Sequence, residues 1–543
     1  MIGVLANRAE EPIVAEFFQL FKTPWELARK EQAYDTLICA GVSAEGWRAK
    51  LVVIYGASEL AGDAAEGWRI TGLGSGVMLE SESGPMPIYG SCGRCEGLGT
   101  QLLAVSGKPG QAAGLQVKSG EGAVVRLGYD LFGEVQHLLT RGQPTERAGE
   151  PVLERHIALL RDLILAAGLP LVEIPPVPSG HDFITCLTHD VDHVGIRNHR
   201  FDHTMLGFLY RATVGTVLGV WRGRMAPRAL VDNFLAVLRL PLIHAGLARD
   251  FWYQFDHYIE LEKGVVSTFF VVPRKNDPGT APKGGVEPAR AIKYGLEDIL
   301  PDLQRVQAAG DEIGVHGIDA WRDSDRGREE RERVVPLTKR TEMGIRMHWL
   351  YFADHSPKTL EAAGFAYDST VGYNETIGYR AGTSQVFRPP GVTRLLELPM
   401  QVMDTSLFYP CYRNLSPAAA RAAVRVIVEQ VTRTGGVLTI NWHDRSIAPE
   451  RLWDGFYREL IADLKGRGTW FATAGDAVTW FAHRRDATLE EVQAADGSRR
   501  VRVVGKVAAG MPGMRLRVHR GTAARPTPEE ISLPQNFELE IAI

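Results

Sequence analysis

Thr188-His189-Asp190-Val191-Asp192-His193 follows directly on Ile184-Thr185-Cys186-Leu187, an apolar run of strand length. Asp190 and Asp192 are spaced i, i+2, so at a strand end both carboxylates project from one face. The C-terminal edge of the strands is where (β/α) barrels build their sites. Two acids buried that close repel one another, and a cation is their natural partner. One can bind it while the other stays free to take a proton. On its own the pair would serve equally well as capping acids for the segment that follows.

Outward from this junction, short apolar strands alternate with helical stretches as far as about His483. The pattern predicts strands at 184–187, 266–272, 312–315, 349–352, 396–399, 437–441 and 470–472, with helices such as 296–309 and 417–434 between them. Repeated strand-then-helix units imply a parallel sheet, and seven strands suit a barrel as well as an open sheet. About 80 residues separate the first two strands, far more than one helix needs. A helical insertion over about 194–262 is expected there.

The flanks read differently. Residues 1–178 read as a β-rich α+β domain: Leu51–Tyr55 and Pro87–Tyr89 are strand-like, Gly72, Gly74 and Gly76 crowd what reads as a loop, and helical periodicity covers 133–141 and 154–167. Cys92-Gly93-Arg94-Cys95 has CxxC spacing without a second pair to complete a zinc site, so it reads as a turn with incidental thiols. Pro175-Pro176-Val177-Pro178 makes a stiff linker. The barrel-type domain then runs over 179–484. Period-two alternation at 500–503, 514–518 and 537–541 marks 485–543 as a small all-β domain. Its eight basic residues from Arg499 to Arg525 would make one face basic, either simply solvated or a platform for an anionic glycan or lipid.

Composition excludes several classes. With 543 residues, 45% hydrophobic and 23% charged, the chain has the material for sizeable cores, which excludes wholesale disorder. A formal charge of −4 offers no global field to recruit nucleic acid. Five cysteines do not make a disulfide framework. The start, MIGVLANRAEEP, lacks the pattern of a secretory signal, so the expected compartment is the cytoplasm. Met205–Trp221 is the most apolar long stretch, but Arg211 and three glycines interrupt it. It reads as a buried or interfacial helix, with peripheral membrane contact open and no span.

Two further histidines end strands: His316 in Val315-His316-Gly317, and His443 in Leu438-Thr439-Ile440-Asn441-Trp442-His443. Acids with histidines at strand ends suit Zn²⁺, with Mn²⁺, Co²⁺ or Ni²⁺ as other occupants. In this order the motifs resemble the polysaccharide deacetylase family (NodB-homology, carbohydrate esterase family 4), closest to a divergent branch whose first motif reads Thr-His-Asp-Val-Asp-His. Ser267–Val271, Tyr367–Tyr373 and Tyr379–Thr383 also resemble this branch, and Gly128–Gly133 with Leu138–Arg141 resembles its N-terminal accessory domain. The resemblance spans roughly 182–480. It implies a distorted (β/α)7 barrel and metal-assisted removal of an acetyl group from an N-acetylated sugar, glycan or glycan precursor. It also implies Asp190 as the base that activates water, Asp192 and His316 as metal ligands, and His443 as the acid that protonates the leaving amine. Hydrolysis of another C–N bond, and a glycan-binding protein without turnover, are the alternatives.

The sequence departs from the family pattern in two places. Four residues after His316, where a second histidine is usual, stands Ala320. Asp192 and His316 alone are too few protein ligands for a zinc site that usually keeps three. His355 is the expected third ligand, with Asp319, His193 or no protein ligand as alternatives. The family's Arg-x-Pro-Tyr segment is absent, Tyr351-Phe352-Ala353-Asp354-His355 standing in its place, and Arg380 or Arg388 is expected to pair with the base. Oligomeric state is not legible.

Overall fold

The computed structural model describes all residues except 83, 121, 339, 495 and 521–526. The chain divides into two compact units, one made of residues 181–380 and 391–479, the other of 1–180, 381–390 and 480–543.

In the first unit, Ile184–Val191 is an inner strand of a parallel sheet of nine. On one side follow Ser267–Val271, Glu312–Gly317, Gly344–Met347, Tyr367–Asp368 and Leu396–Glu397; on the other Val437–Asn441 and then Val402–Met403. Trp470–Phe471 pairs with Ile184–Thr185. Parallel strands covered on both faces are apolar throughout, and Leu187, Phe269, Val271, Val315, Ile345 and Ile440 are all buried. The two edge strands, Leu396–Glu397 and Val402–Met403, are separated by only four residues. An extended chain of that length reaches roughly 17 Å. The edges are therefore held near one another, and the sheet curls into a nearly closed barrel with helices outside.

The sequence pattern misplaces one strand and misses two. The strand expected at 349–352 lies at Gly344–Met347. Trp349 and Leu350 are apolar but have φ of 64° and 54°, left-handed backbone that cannot continue a strand. Tyr367–Asp368 and Val402–Met403 are two residues each, too short to show a period. The long first connection is helical: His203–Tyr210 continues through a π-turn at Arg211–Gly215 into Thr216–Trp221, and Arg228–His244 and Phe255–Leu261 follow. Phe208, Ala212, Ala236, Leu240 and Ile243 form its small core with Trp252.

The second unit holds a nine-stranded mixed sheet, parallel from Trp25–Leu27 through Ile2–Leu5, Tyr34–Ala40 and Ala49–Tyr55 to Gly122–Leu127, and antiparallel beyond. Gly72, Gly74 and Gly76 do not form a loop. They lie inside the strand Trp68–Ser81, where its pairing with Gly84–Gly97 is broken by bulges. Cys92 and Cys95 belong to that partner strand rather than a turn, and both are buried free thiols. Burial pushes them up to about 12 and about 11, so both are inert at neutral pH. The last sixty residues add two small antiparallel sheets, and one of them includes Leu171–Glu173. Their basic residues do not form a free platform: Arg499 pairs with Asp35 and Glu491, Arg502 with Glu538, Arg517 with Glu530, and Arg520 with Glu529. Arg525 lies outside the described residues.

Candidate metal centre

Strand alternation separates the first motif into two roles. Thr188 and Asp190 face the barrel interior, whereas His189 faces outward. Its Nδ1–H donates to Trp442 O at 2.7 Å and its Nε2 meets Glu262 at 2.8 Å, which makes it a structural brace. Asp190 is buried and fully held. Its Oδ1 accepts from Arg346 Nη1 at 3.0 Å and its Oδ2 from Asn441 Nδ2 at 2.7 Å. Burial alone would raise this carboxyl, but His316, Arg346 and His443 outweigh it and keep the group below the usual carboxylate range.

Asp192 is placed differently. Its Oδ1 lies 3.3 Å from His316 Nε2 and 4.0 Å from His348 Nδ1, yet it makes no well-formed hydrogen bond; His348 Nδ1 likewise has none. One ligand atom from each of Asp192, His316 and His348 lies within 4.8 Å of the other two. The tautomer of His316 is decided by its other nitrogen: Nδ1 sits 2.9 Å from Arg346 O, a carbonyl that can only accept, so in the neutral ring it is Nε2 that carries the lone pair. The His316 and His348 rings stack at 4.9 Å. Burial pushes His348 down to about 3, which keeps its ring neutral and its lone pair free. One carboxylate and two imidazoles, with Asp192 Oδ1 and His348 Nδ1 buried and unfilled, fit a divalent cation such as Zn²⁺.

Opposite this group, His443 Nε2 lies 3.8 Å from Asp192 Oδ2. Its Nδ1 is held at 2.7 Å by Asp404 Oδ1, and its backbone N–H donates to Asp404 Oδ2 at 2.7 Å. Burial would lower this histidine, but the facing carboxylates of Asp404, Asp192 and Asp190 raise it to about 9. The ring therefore carries a proton at neutral pH. Asp190, Asp192, His316 and His443 open on a cavity of about 440 Å³, whose wall includes Trp349 and Tyr351. Trp442 does not reach it and stacks on Phe456 and Tyr457 in the core.

Asp190, Asp192, His316 and His443 are thus brought together, and two expected partners are not. His355 is exposed, at the N-terminus of the helix Ser356–Ala363, with its ring 6.5 Å from that of Trp321. The third place is taken by His348. Arg380 donates to Gly372 O at 2.9 Å and Arg388 presents its backbone N–H to Glu16. The arginine on Asp190 is Arg346, wholly buried, which also donates to Thr188 Oγ1 at 2.7 Å and to Ser369. Asp319 accepts from Thr280 N and His193 packs against Trp252, so neither alternative ligand joins the cluster. Ala320 is buried against Gly327 of the helix Ser324–Val334: a Cβ on Gly327 would stand 3.1 Å from that of Ala320. A histidine ring has no room there.

Arg346, His348 and Asp404 were not read from the sequence. The signal for the first two was available, since Gly344-Ile345-Arg346-Met347-His348 is another short run ending in histidine, with a charge in its middle. Asp404 follows a two-residue strand and carries no such mark.

No family model and no curated protein matches the sequence. Among solved structures, a protein described as a "putative polysaccharide deacetylase" from Mycobacterium smegmatis is similar over 58% of this chain and 96% of its own, at 19% identity and a TM-score of 0.36. An allantoinase is similar over 57% and 93%, at 16% identity and 0.33. A CE4 family pseudoenzyme from Bacillus anthracis is similar over 42% and 62%, at 11% identity and 0.25. These are distant structural likenesses. The chemistry rests on the side chains.

Proposed function

We propose that this protein is a metal-dependent hydrolase that removes an acetyl group from an N-acetylated sugar, glycan or glycan precursor. The observation that carries the reading is the convergence of Asp192, His316 and His348 between a braced carboxylate, Asp190, and a protonated histidine, His443. A divalent cation held by the three would polarise the acyl carbonyl and acidify water. Asp190, held by Arg346 and Asn441, accepts the proton that water gives up. His443, charged against Asp404, donates a proton to the departing nitrogen, so base and acid serve opposite ends of the cleaved bond. Trp349 and Tyr351 offer aromatic faces to a sugar ring in the cavity.

Metal analysis together with acetate release from a panel of N-acetylated sugars, with and without chelator, tests this. Wild-type protein should carry about one divalent ion per chain. His316→Ala and His348→Ala should each lose it along with turnover. A folded protein that binds no divalent metal and releases no acetate from any member of the panel ends the proposal.

A further inference from the structure

One wall of the cavity is made of three arginines for which the chemistry above has no use: Arg211 from the inserted helix, and Arg445 and Arg451 from the loop after Val437–Asn441. Arg445 is 5% exposed and Arg451 7%. A single carboxylate faces all three. Glu450 Oε1 lies 3.6 Å from Arg211 Nη2, 3.7 Å from Arg445 Nε and 4.0 Å from Arg451 Nε, without a hydrogen bond to any. Asp444 adds a second acid to the wall, engaged by the His193 backbone N–H, so positive charge stays in excess. Arg445 Nε and Nη1, Arg451 Nε and Arg211 Nε are buried without a hydrogen bond, while Arg451 Nη1 donates to Ser446 Oγ at 3.0 Å. Buried guanidinium donors are ordinarily filled, because an unfilled one has lost its water for nothing. Aromatic faces hold these planes instead: Trp252 lies 4.8 Å from the Arg445 guanidinium, and Trp453 5.2 Å from that of Arg451. Stacking of this kind fixes the plane and leaves the N–H edges for an oxyanion.

We propose that this wall is a subsite for a phosphoryl group carried by the substrate. That the anion belongs to a substrate rests on the hydrolase reading; that the wall binds an anion does not. Calorimetric titration of inorganic pyrophosphate into the full chain, with chelator present to empty the metal centre, should show binding. Arg451→Gln should weaken it by about tenfold or more, as loss of a charge-assisted contact does. Arg211→Gln, a half-buried change on a helix surface, should weaken it in a protein whose fold is not at risk. In turnover, an N-acetylated sugar 1-phosphate should show a raised KM in Arg211→Gln with kcat kept, and the unphosphorylated sugar should not change. If pyrophosphate binds but no sugar is hydrolysed, the subsite stands and the hydrolase reading falls. Absence of binding by folded wild-type protein overturns the subsite, and so does binding that all the arginine variants retain.

The outer face of the insertion carries an independent second site. Leu206, Tyr210, Val214, Val217 and Trp221 recur every three or four residues and are exposed, Trp221 to 80%. Val231, Phe234, Leu238 and Leu242 make a matching stripe on Arg228–His244, with Leu238 exposed to 72%. The inward faces of both helices are already buried in the insertion's own core. Helices apolar on two faces need a second cover. Between residues 194 and 250 the sequence has eight arginines and three aspartates, with no lysine or glutamate, in a chain of net charge −4. Arg200, Arg222, Arg224, Arg228 and Arg239 are exposed, with no ion pair among the described residues. Among those residues no helix is long and apolar enough to cross a membrane.

We infer that this face docks on an anionic bilayer, its apolar stripes in the headgroup layer and its arginines on the phosphates. The full chain should co-sediment with phosphatidylcholine vesicles containing about one-third phosphatidylglycerol, and not with pure phosphatidylcholine. Trp221→Ser with Leu238→Ser, and separately Arg222→Gln with Arg224→Gln and Arg228→Gln, should each lower the bound fraction about tenfold. Failure of wild-type protein to bind overturns the inference. A dimer in solution that Leu238→Glu dissociates would assign the face to a second copy of the chain instead.

Discussion

Two aspartates are buried against buried arginines in this molecule, and their surroundings differ. In the N-terminal sheet, Arg126 Nε and Nη2 meet both oxygens of Asp63 at 2.9 and 3.1 Å, and its other N–H groups go to the carbonyls of Gly56, Ser58 and Leu127. Asp63 also accepts from Leu60 N. Every strong donor is answered, and although Asp63 borders a cavity it leaves no ligand atom unfilled there. In the barrel, Arg346 and Asp190 are answered as fully, yet Asp192, two residues on, leaves Oδ1 unfilled beside the equally unfilled His348 Nδ1. A closed pair of the first kind is structure. The same pair set next to orphaned ligand atoms becomes the brace of a site.

Substitution at the two aspartates separates these cases most strongly. Asp190→Asn keeps the shape and both neighbours while removing the proton acceptor, so acetate release should fall by about 10²–10⁴-fold with stability changed by less than about 1 kcal/mol. Unchanged turnover would show that Asp190 is as structural as Asp63. Asp63→Ala should do the reverse. It strands a buried guanidinium and should lower the stability of its unit by about 3–5 kcal/mol, read from urea unfolding, while turnover per folded molecule holds. A loss below about 1 kcal/mol would mean that the carbonyls alone satisfy Arg126.

A buried carboxylate closed by backbone alone sharpens the contrast. Glu330 accepts from Ile318 N and Asp319 N at 2.9 and 2.8 Å and has no ion pair among the described residues. Burial raises it to about 7 against an ordinary 4.5. The folded state therefore holds its proton where the unfolded state has lost it. The resulting stability is complete below about pH 4.5 and is lost as pH rises through about 7. Between those limits wild-type protein should lose about 3 kcal/mol relative to Glu330→Gln, measured by urea unfolding with chelator present throughout. A difference independent of pH would show that Glu330 ionises normally.

Much of the barrel was legible because buried parallel strands are short apolar runs and helices between them are periodic, as at Val437–Asn441 and Pro417–Thr434. The acids and two of the histidines were legible for the same reason: each ends such a run. Legibility stopped where strand length fell to two residues, at Tyr367–Asp368 and Val402–Met403, and with the latter went Asp404, which fixes His443. The small-residue packing at Ala320 and Gly327 shows only in three dimensions.

The smallest expected effect bears on the histidine that the sequence favoured. His355 follows the apolar Trp349–Phe352, and if that run were a strand, His355 would stand at its C-terminal edge as His316 and His443 do at theirs. The backbone turns left-handed at Trp349 and Leu350, so the strand ends at Met347 and the residue beyond it is His348. The histidine that follows a strand end here is His348, not His355. His355→Ala removes an exposed ring at a helix start, where surface changes stay within about 0.5 kcal/mol. Metal content and turnover should match wild type, whereas His348→Ala, three positions past the backbone of Ile345 and wholly buried, should lose both. Metal loss in His355→Ala would put His355 back among the ligands, and would mean that the loop from 348 to 355 rearranges around the ion.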